Sequence, residues 1–227
     1  MGNKINKFLL TFCVFILIGL FPFNCSLNDL KDEKVFVIAT YDDVKNWDPA
    51  TAFSLEVLPM SNMYEPLLWY DASSKTGKFL PGLAMSYKQS DDGLTWTFNL
   101  RRDVYFHDGT KFNAESVKFV VDRNKTLNGG ASYIWSSVEK IIINNPYQIT
   151  FVLSHSVPFD KIVSSQYGAW MYSPAISNMS RDSLFGGFGS GTGPYQFKKW
   201  VRNKYILLEK FDNYWKGWGK TNHYESI

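Results

Sequence analysis

The stretch from Ser90 to Phe119 constrains the fold of this chain more than any other, because its residues indicate a turn, strand or helix at each successive position. Asp92-Gly93 is typical of a tight turn, and Thr95 to Leu100 alternates apolar and polar residues as a half-buried strand does. Asp108-Gly109 predicts a second turn, and Asn113 is a good N-cap for the helix that follows. The stretch therefore predicts a strand, a short second strand and a capped helix.

Hydrophobic periodicity predicts further elements along the chain. Val35 to Thr40 is continuously apolar and rich in β-branched residues, which indicates a strand buried on both faces. Residues 54–70 carry apolar side chains at helix-like spacing, and the glycines of Gly186 to Gly193 indicate a domain boundary or hinge-like joint. The other predictions are a helix over Ala114–Arg123 ended by Asn128-Gly129-Gly130, a hairpin of strands Val138–Ile143 and Gln148–Leu153, a short helix over Phe159–Ser165, and strands Tyr195–Trp200 and Tyr205–Phe211.

Residues 1–25 are predicted to be a signal peptide. Lys4 and Lys7 precede an uncharged apolar run, residues 8–23, which is short for crossing a bilayer and fits a secretory segment better. Cys25 stands where a bacterial lipoprotein carries its lipid, which predicts an exported protein anchored on the outer face of the membrane or in the periplasm. The residues before Cys25 do not form the usual lipobox. An uncleaved anchor, or cleavage elsewhere with Cys25 as a free thiol, therefore stays open.

The composition and the motifs argue against several functional classes. The net charge is +3, of which Lys4 and Lys7 supply two charges, so no nucleic-acid-binding footprint is visible. The three histidines lack metal-ligand spacing, no nucleophile elbow occurs, and neither cysteine is placed as a nucleophile. We therefore expect no enzymatic activity, no cofactor and no metal. An exported chain with 17% aromatic residues and no catalytic set is typical of an extracytoplasmic binding module.

Several segments, in order, resemble bacterial extracellular solute-binding proteins of family 5, which deliver peptides, oligopeptides or nickel to ABC transporters. The match spans essentially the whole chain after the signal peptide. The segments that carry it are Asn46-Trp47-Asp48-Pro49, Met63-Tyr64-Glu65-Pro66-Leu67-Leu68, Pro81-Gly82-Leu83-Ala84, Ser90 to Phe119, Gly191-Thr192-Gly193-Pro194-Tyr195 and Asn213-Tyr214-Trp215-Lys216-Gly217.

The resemblance implies an α/β fold: a lobe like that of type II periplasmic binding proteins, with a mixed sheet and a small α+β subdomain. Residues 26–57 would begin lobe I, residues 58–172 would form the extra subdomain, and residues 173–227 would return to lobe I. Members of this family close two lobes around the ligand, and the resemblance covers the N-terminal portion only, with the second lobe missing. We therefore expect the chain to bind peptides weakly or not at all by itself.

The resemblance also implies where a ligand would lie. Asp42 and Asp43 lie in the loop that borders the ligand, and Tyr133 and Trp135 match an aromatic position over the cleft. Solvated loop carboxylates and core aromatic residues are the alternatives for these four positions. His107 and Asp108 are interpreted as structural. The implied function is the substrate-binding component of an ABC importer, with permease subunits as partners. Peptides are the favoured ligands, and nickel chelates, oligosaccharides and other small solutes are alternatives, as is a non-transport surface lipoprotein or remnant.

Overall fold

The structure, a computed structural model, describes residues 34–180, 183–184, 189–220 and 223–227. The predicted signal peptide, Cys25 and the first three glycine-segment residues, 186–188, lie outside these ranges. Residues 34–227 form one compact unit, and the lobe and subdomain boundaries inside it stay predictions. No helix in the described ranges combines the length and apolar character needed to cross a bilayer.

The elements follow in chain order. They are helix α1 (Val57–Met63), strands β1 (Leu68–Tyr70), β2 (Phe79–Pro81), β3 (Ala84–Gln89) and β4 (Thr95–Leu100), helix α2 (Ala114–Leu127), a 3-10 helix (Ser132–Trp135), strands β5 (Val138–Asn145) and β6 (Gln148–Leu153), helix α3 (Phe159–Ile162), a 3-10 helix (Pro174–Asn178), and strands β7 (Tyr195–Val201) and β8 (Tyr205–Lys210).

The largest sheet is antiparallel, with strand order β3-β4-β6-β5. Along β4 the residues Trp96, Phe98 and Leu100 are buried and alternate with half-buried polar residues, as the sequence predicts. β5 and β6 form the predicted hairpin. Phe159 at the start of α3 packs on the same face against Trp96 and Phe98, so this sheet contributes a large share of the aromatic core.

Helix α2 begins where the sequence predicts. The Asn113 side chain accepts a hydrogen bond from the Ser116 backbone N–H, and the Ser116 side-chain oxygen accepts one from the Asn113 backbone N–H. The helix ends at Leu127, four residues later than predicted, because Asn128 adopts the left-handed conformation (φ 48°) that closes a helix C-terminus. Its buried side, which includes Val117, Val120 and Val121, packs into the core.

A smaller sheet joins the two ends of the described chain. β7 and β8 pair antiparallel, Ser226 bridges Glu209 antiparallel, and Val35 bridges Ser226 in parallel, which makes this sheet mixed. The prediction of a strand buried on both faces over Val35–Thr40 is wrong, since only Val35 is paired and Val37 is 81% exposed.

The helix predicted over residues 54–70 is also wrong in extent, since α1 spans only Val57–Met63. Tyr64 is extended (φ −122°, ψ 147°), and Pro66 follows two residues later. Proline lacks the backbone donor a helix needs and disfavours the helical conformation in the residue before it. Leu68–Tyr70 therefore enters β1, although its apolar spacing continues that of the helix.

The described part of the glycine segment is tightly packed, so the interpretation of a hinge-like joint is wrong for residues 189–193. Added Cβ atoms at Gly191 and Gly193 would collide with the carbonyl oxygens of Met63 and Asn62. The close backbone approach that the glycines permit is confirmed. The segment fixes the end of α1 in place.

His107 joins the Ser90–Phe119 stretch to this glycine segment. The Gly191 N–H donates to its Nδ1 (3.3 Å), which leaves the proton on Nε2, 3.0 Å from the Gly193 carbonyl oxygen. The His107 backbone N–H also donates to the Gly191 carbonyl oxygen (2.9 Å). Burial lowers the pKa of His107 from 6.5 to about 4, because the charged form would lose its water shell. His107 is therefore a neutral, partly buried structural group.

A second polar joint is built on Glu65, which is buried. Its carboxylate accepts hydrogen bonds from Thr192 Oγ1 (3.0 Å), Tyr214 Oη (2.9 Å) and Trp215 Nε1 (2.6 Å). Burial raises the pKa of Glu65, and these hydrogen bonds together with Lys216 oppose that rise. Three segments far apart in sequence therefore meet at one carboxylate.

Candidate functional site

The predicted ligand-bordering loop lies beside the turn of the β7–β8 hairpin. Val35 runs parallel to the strand-like segment at Ser226, which is antiparallel to β8, so the chain from Val35 to Asp43 travels toward the β7–β8 turn. We call residues 40–45 together with residues 199–205 the hairpin end. In open α/β sheets, ligands bind beyond the carboxyl ends of the strands, which is where this loop lies.

Asp43 is held by the hairpin. Its carboxylate accepts hydrogen bonds from Trp200 Nε1 (2.9 and 3.1 Å) and from the Asn203 backbone N–H (2.7 Å). Partial burial would raise the pKa of Asp43, but the hydrogen bonds from Asn203 and Trp200 hold it below its ordinary value. The side chain of Asp43 thus ties the loop to the β7–β8 turn.

Asp42 is more exposed and makes only local contacts. Its carboxylate forms an ion pair with Lys45 Nζ (2.7 Å) and accepts a hydrogen bond from the Asp43 backbone N–H (2.9 Å). The hydrogen bond from Lys45 is the main cause that lowers the pKa of Asp42. Both predicted aspartates therefore lie together at the hairpin end, and both carboxylates already have partners within the chain.

The backbone that precedes these aspartates has no such partners. Within the described part of the chain, residues 37–41 make no backbone–backbone hydrogen bond, and Tyr41 is 91% exposed. Unpaired N–H and C=O groups along an extended edge are a template for another extended chain. Residues 37–41, which lead into the hairpin end, are therefore the backbone segment most open to a ligand.

The two predicted aromatic residues lie in the same 3-10 helix but in different environments. Tyr133 is 65% exposed, whereas Trp135 is fully buried in the core. Trp135 Nε1 donates to the Gly168 carbonyl oxygen (2.8 Å), and so does Asn124 Nδ2 (2.7 Å). Tyr133 can meet a ligand directly, and Trp135 supports the loop around Gly168.

An ion pair fixes the loop that follows the hairpin end. Arg123 on α2 makes two hydrogen bonds of 2.7 Å to the two carboxylate oxygens of Asp48. Asp48 also accepts from the Ala50 N–H (3.0 Å), so it shapes the turn that leads to Thr51. Thr51 packs directly on Gly130, three residues before Tyr133. The Asp48 turn and the Tyr133 segment are thus held together.

Sequence reasoning missed an aromatic pair made of Phe53, which is 54% exposed, and Tyr167, which is half-buried. The rings of Phe53 and Tyr167 lie 5.2 Å apart, and Tyr167 Oη donates to the Ser54 carbonyl oxygen (2.6 Å). Their loops carry no motif, and the only pattern that could have indicated them is an aromatic residue in a polar stretch. No group of three or more His, Cys, Asp or Glu residues suited to a metal occurs in the described ranges.

Comparisons with known proteins agree on one family. The family model described as bacterial extracellular solute-binding proteins, family 5, middle, matches residues 78–226. The glutathione-binding protein GsiB of Pectobacterium atrosepticum is 31% identical over 190 residues, covering 82% of this chain and 35% of that protein.

Two solved structures show the same fold over the described unit. NikZ from Campylobacter jejuni, in complex with Ni(L-His), has a TM-score of 0.69 and 26% identity, covering 81% of this chain and 36% of that one. DppA from Helicobacter pylori, in complex with the peptide STSA, has a TM-score of 0.64 and 25% identity, covering 77% and 38%. The chain thus spans little more than a third of the length of these relatives. Its fold is the α/β fold of type II periplasmic binding proteins, and the chain belongs to family 5 of the bacterial extracellular solute-binding proteins.

Proposed function

We propose that this chain supplies one wall of the ligand cleft of an ABC importer's substrate-binding component, and that peptides are its ligands. The observation that carries the proposal is the unpaired backbone of residues 37–41 beside an exposed Tyr41. An extended peptide can add to such an edge as a strand, so the main chain supplies affinity and leaves side chains variable. The similarity to a glutathione-binding protein and to a peptide complex supports the same ligand class.

The predicted site residues take different roles in this proposal. Asp42 and Asp43 follow the backbone edge of residues 37–41 and hold its end in place, since their carboxylates are engaged with Lys45 and with Trp200 and Asn203. Tyr133 offers its exposed ring to a ligand side chain. Trp135 acts from the core by holding the Gly168 loop. None of these residues is assigned a catalytic role, and we propose that the protein is not an enzyme.

A small metal chelate is the second candidate ligand. The similarity to NikZ in complex with Ni(L-His), at 26% identity, favours it. A chelate brings its own metal ligands, so the protein needs to supply only a polar and aromatic surface. The same titration as for peptides, with Ni(L-His) as the probe, distinguishes the two ligands.

We further propose that the protein acts outside the cytoplasm, held by a lipid on Cys25, and delivers its ligand to permease subunits. The charged start, the apolar run and the position of Cys25 support this placement. A single lipid-type anchor keeps a protein on a membrane face without spanning the bilayer.

A ¹⁵N NMR titration of the full chain with the tripeptide Ala-Ala-Ala tests the ligand proposal. We expect weak binding, with a Kd of about 1 mM, and shifts that concentrate at residues 37–45 and at Tyr133. Tyr41→Pro, which removes a backbone donor, should abolish these shifts. Tyr41→Ala, which keeps the donor, should retain most of them. Shifts spread evenly over the molecule, or equal behaviour of the two variants, would contradict backbone pairing at this edge.

A further inference from the structure

Three basic side chains on the hairpin end form no salt bridge within the described part of the chain. Lys199, Arg202 and Lys204 are exposed, whereas neighbouring Lys198 pairs with Glu209 at 2.6 Å. We propose that these three side chains are a cationic rim that recognises a carboxylate group on the ligand. The inference rests on the proposed function and narrows its ligand class to anionic peptides and other small carboxylates.

Two of the three cations of the rim lie against aromatic rings. The Arg202 guanidinium lies over the Trp200 ring (4.6 Å), and the Lys199 ammonium lies near the Tyr205 ring (5.8 Å). Such contacts restrict flexible cationic side chains, so less freedom is lost when they bind an anion. The planar guanidinium of Arg202 can also donate two parallel hydrogen bonds to the two oxygens of a carboxylate.

Nearby acids offset only part of the positive charge of the rim. The acids of the adjoining loop are Asp42, which pairs with Lys45, and Asp43, whose carboxylate accepts from Trp200 Nε1 and the Asn203 N–H. Arg202 acts on Asp43 only through its longer-range field. The hairpin end therefore keeps a positive balance directly beside the free backbone edge.

A small solute is the source of the carboxylate that this proposal commits to. The rim lies at the turn of β7 and β8, next to residues 40–45, which follow the unpaired backbone of residues 37–41 to which a peptide is proposed to add.

Competitive titrations of the full chain with three tripeptides test the rim. The peptides Ala-Glu-Ala, Ala-Ala-Ala and Ala-Lys-Ala differ in charge at one side chain. At about 20 mM salt, where screening is weak, we expect Ala-Glu-Ala to bind about fivefold more tightly than Ala-Lys-Ala. The triple variant Lys199→Gln, Arg202→Gln, Lys204→Gln should bring this ratio to about one.

The matched control is the triple variant Lys75→Gln, Lys88→Gln, Lys140→Gln, which removes the same charge from exposed positions on other parts of the fold. It should keep the preference for Ala-Glu-Ala. If the control loses the preference to the same extent as the rim variant, net charge alone explains the effect, and the proposal that the rim recognises a carboxylate is wrong.

The outcomes separate this inference from the proposed function. Equal binding of all three peptides by the unaltered protein would contradict the rim proposal but not the proposed function. If no peptide binds, both the rim proposal and the proposed function are contradicted. The last test measures binding to vesicles that contain phosphatidylglycerol. If the rim variant loses vesicle binding but keeps its preference for Ala-Glu-Ala, the cations bind a membrane surface and the rim proposal is wrong.

Discussion

His107 makes the stability of the protein depend on pH in a defined window. The folded state holds the imidazole neutral with a pKa of about 4, against 6.5 ordinarily, so the unfolded chain takes up the proton first. The contribution of neutral His107 to the free energy of unfolding is therefore fully present above pH 6.5. It is lost as the pH drops toward 4, and the loss amounts to about 3 kcal/mol. Urea unfolding at several pH values measures this loss.

The control for this prediction is His107→Gln, whose amide can still donate and accept but does not titrate. The variant should be less stable at pH 7 and should lack the part of the pH dependence that lies between 6.5 and 4. Asp42, Asp43 and Asp108 have lowered pKa values, so their contribution is lost only at more acidic pH. An unchanged pH profile in the variant would contradict the assignment.

Asp48 and Arg123 give a second prediction at the same scale. Asp48→Asn removes one charge from a largely buried pair and leaves the guanidinium uncompensated. We expect it to lower the free energy of unfolding by about 3 kcal/mol, measured by urea denaturation. Asp122→Asn, which breaks the exposed pair with Lys118 on the same helix, is the control and should change stability little. Equal effects of the two substitutions would refute the role of burial.

Among elements, the glycine segment is the joint most sensitive to added volume. Gly191→Ala should destabilise the protein by more than about 2 kcal/mol, because the new Cβ meets the Met63 carbonyl and the backbone must move. Gly217 has a positive φ of 67° but no atom near its Cβ position. Gly217→Ala should therefore cost only about 1 kcal/mol, and thermal unfolding of both variants compares the steric and conformational effects.

Local patterns predicted the elements whose stabilising contacts are near in sequence. The β5–β6 hairpin, the alternation in β4 and the Asn113 cap each depend on residues within a few positions, and all three are confirmed. Val35–Thr40 could not be placed by its own composition, because its pairing depends on the register at Ser226. The early end of α1 was predictable from Pro66. Apolar spacing alone missed it, because that pattern ignores the effect of proline on the backbone.

The sequence could indicate a candidate site only in outline. The family resemblance implies that Asp42, Asp43 and Tyr133 border a ligand, and this role stays a prediction. The resemblance could not show that the Asp43 carboxylate already accepts hydrogen bonds from Trp200 and Asn203, because those contacts span more than 150 residues. Phe53, Tyr167 and the three cations of the hairpin end lie outside any recognised motif. Only the folded chain defines their exposure and their neighbours.

At the scale of the whole molecule, the proposed placement of the protein on a membrane face can be tested at Cys25. Cys25→Ala should leave an unlipidated, soluble protein that no longer sediments with membranes, since one lipid-type anchor supplies the attachment. Membrane fractionation and metabolic labelling with palmitate measure the two effects. The control is Cys13→Ala, which lies inside the apolar run and should change neither. Unaltered fractionation of the Cys25 variant would contradict the anchor.

The pairing of Val35 with Ser226 sets the order in which the chain can fold. Val35 finds its partner only after Ser226 has been synthesised, about 190 residues later, and such a distant closure is slow because of its entropy. The backbone at Val35 therefore stays unpaired while the intervening chain is made. An unpaired, unfolded start is the form that a secretion channel can thread, so this late pairing suits the export that we propose.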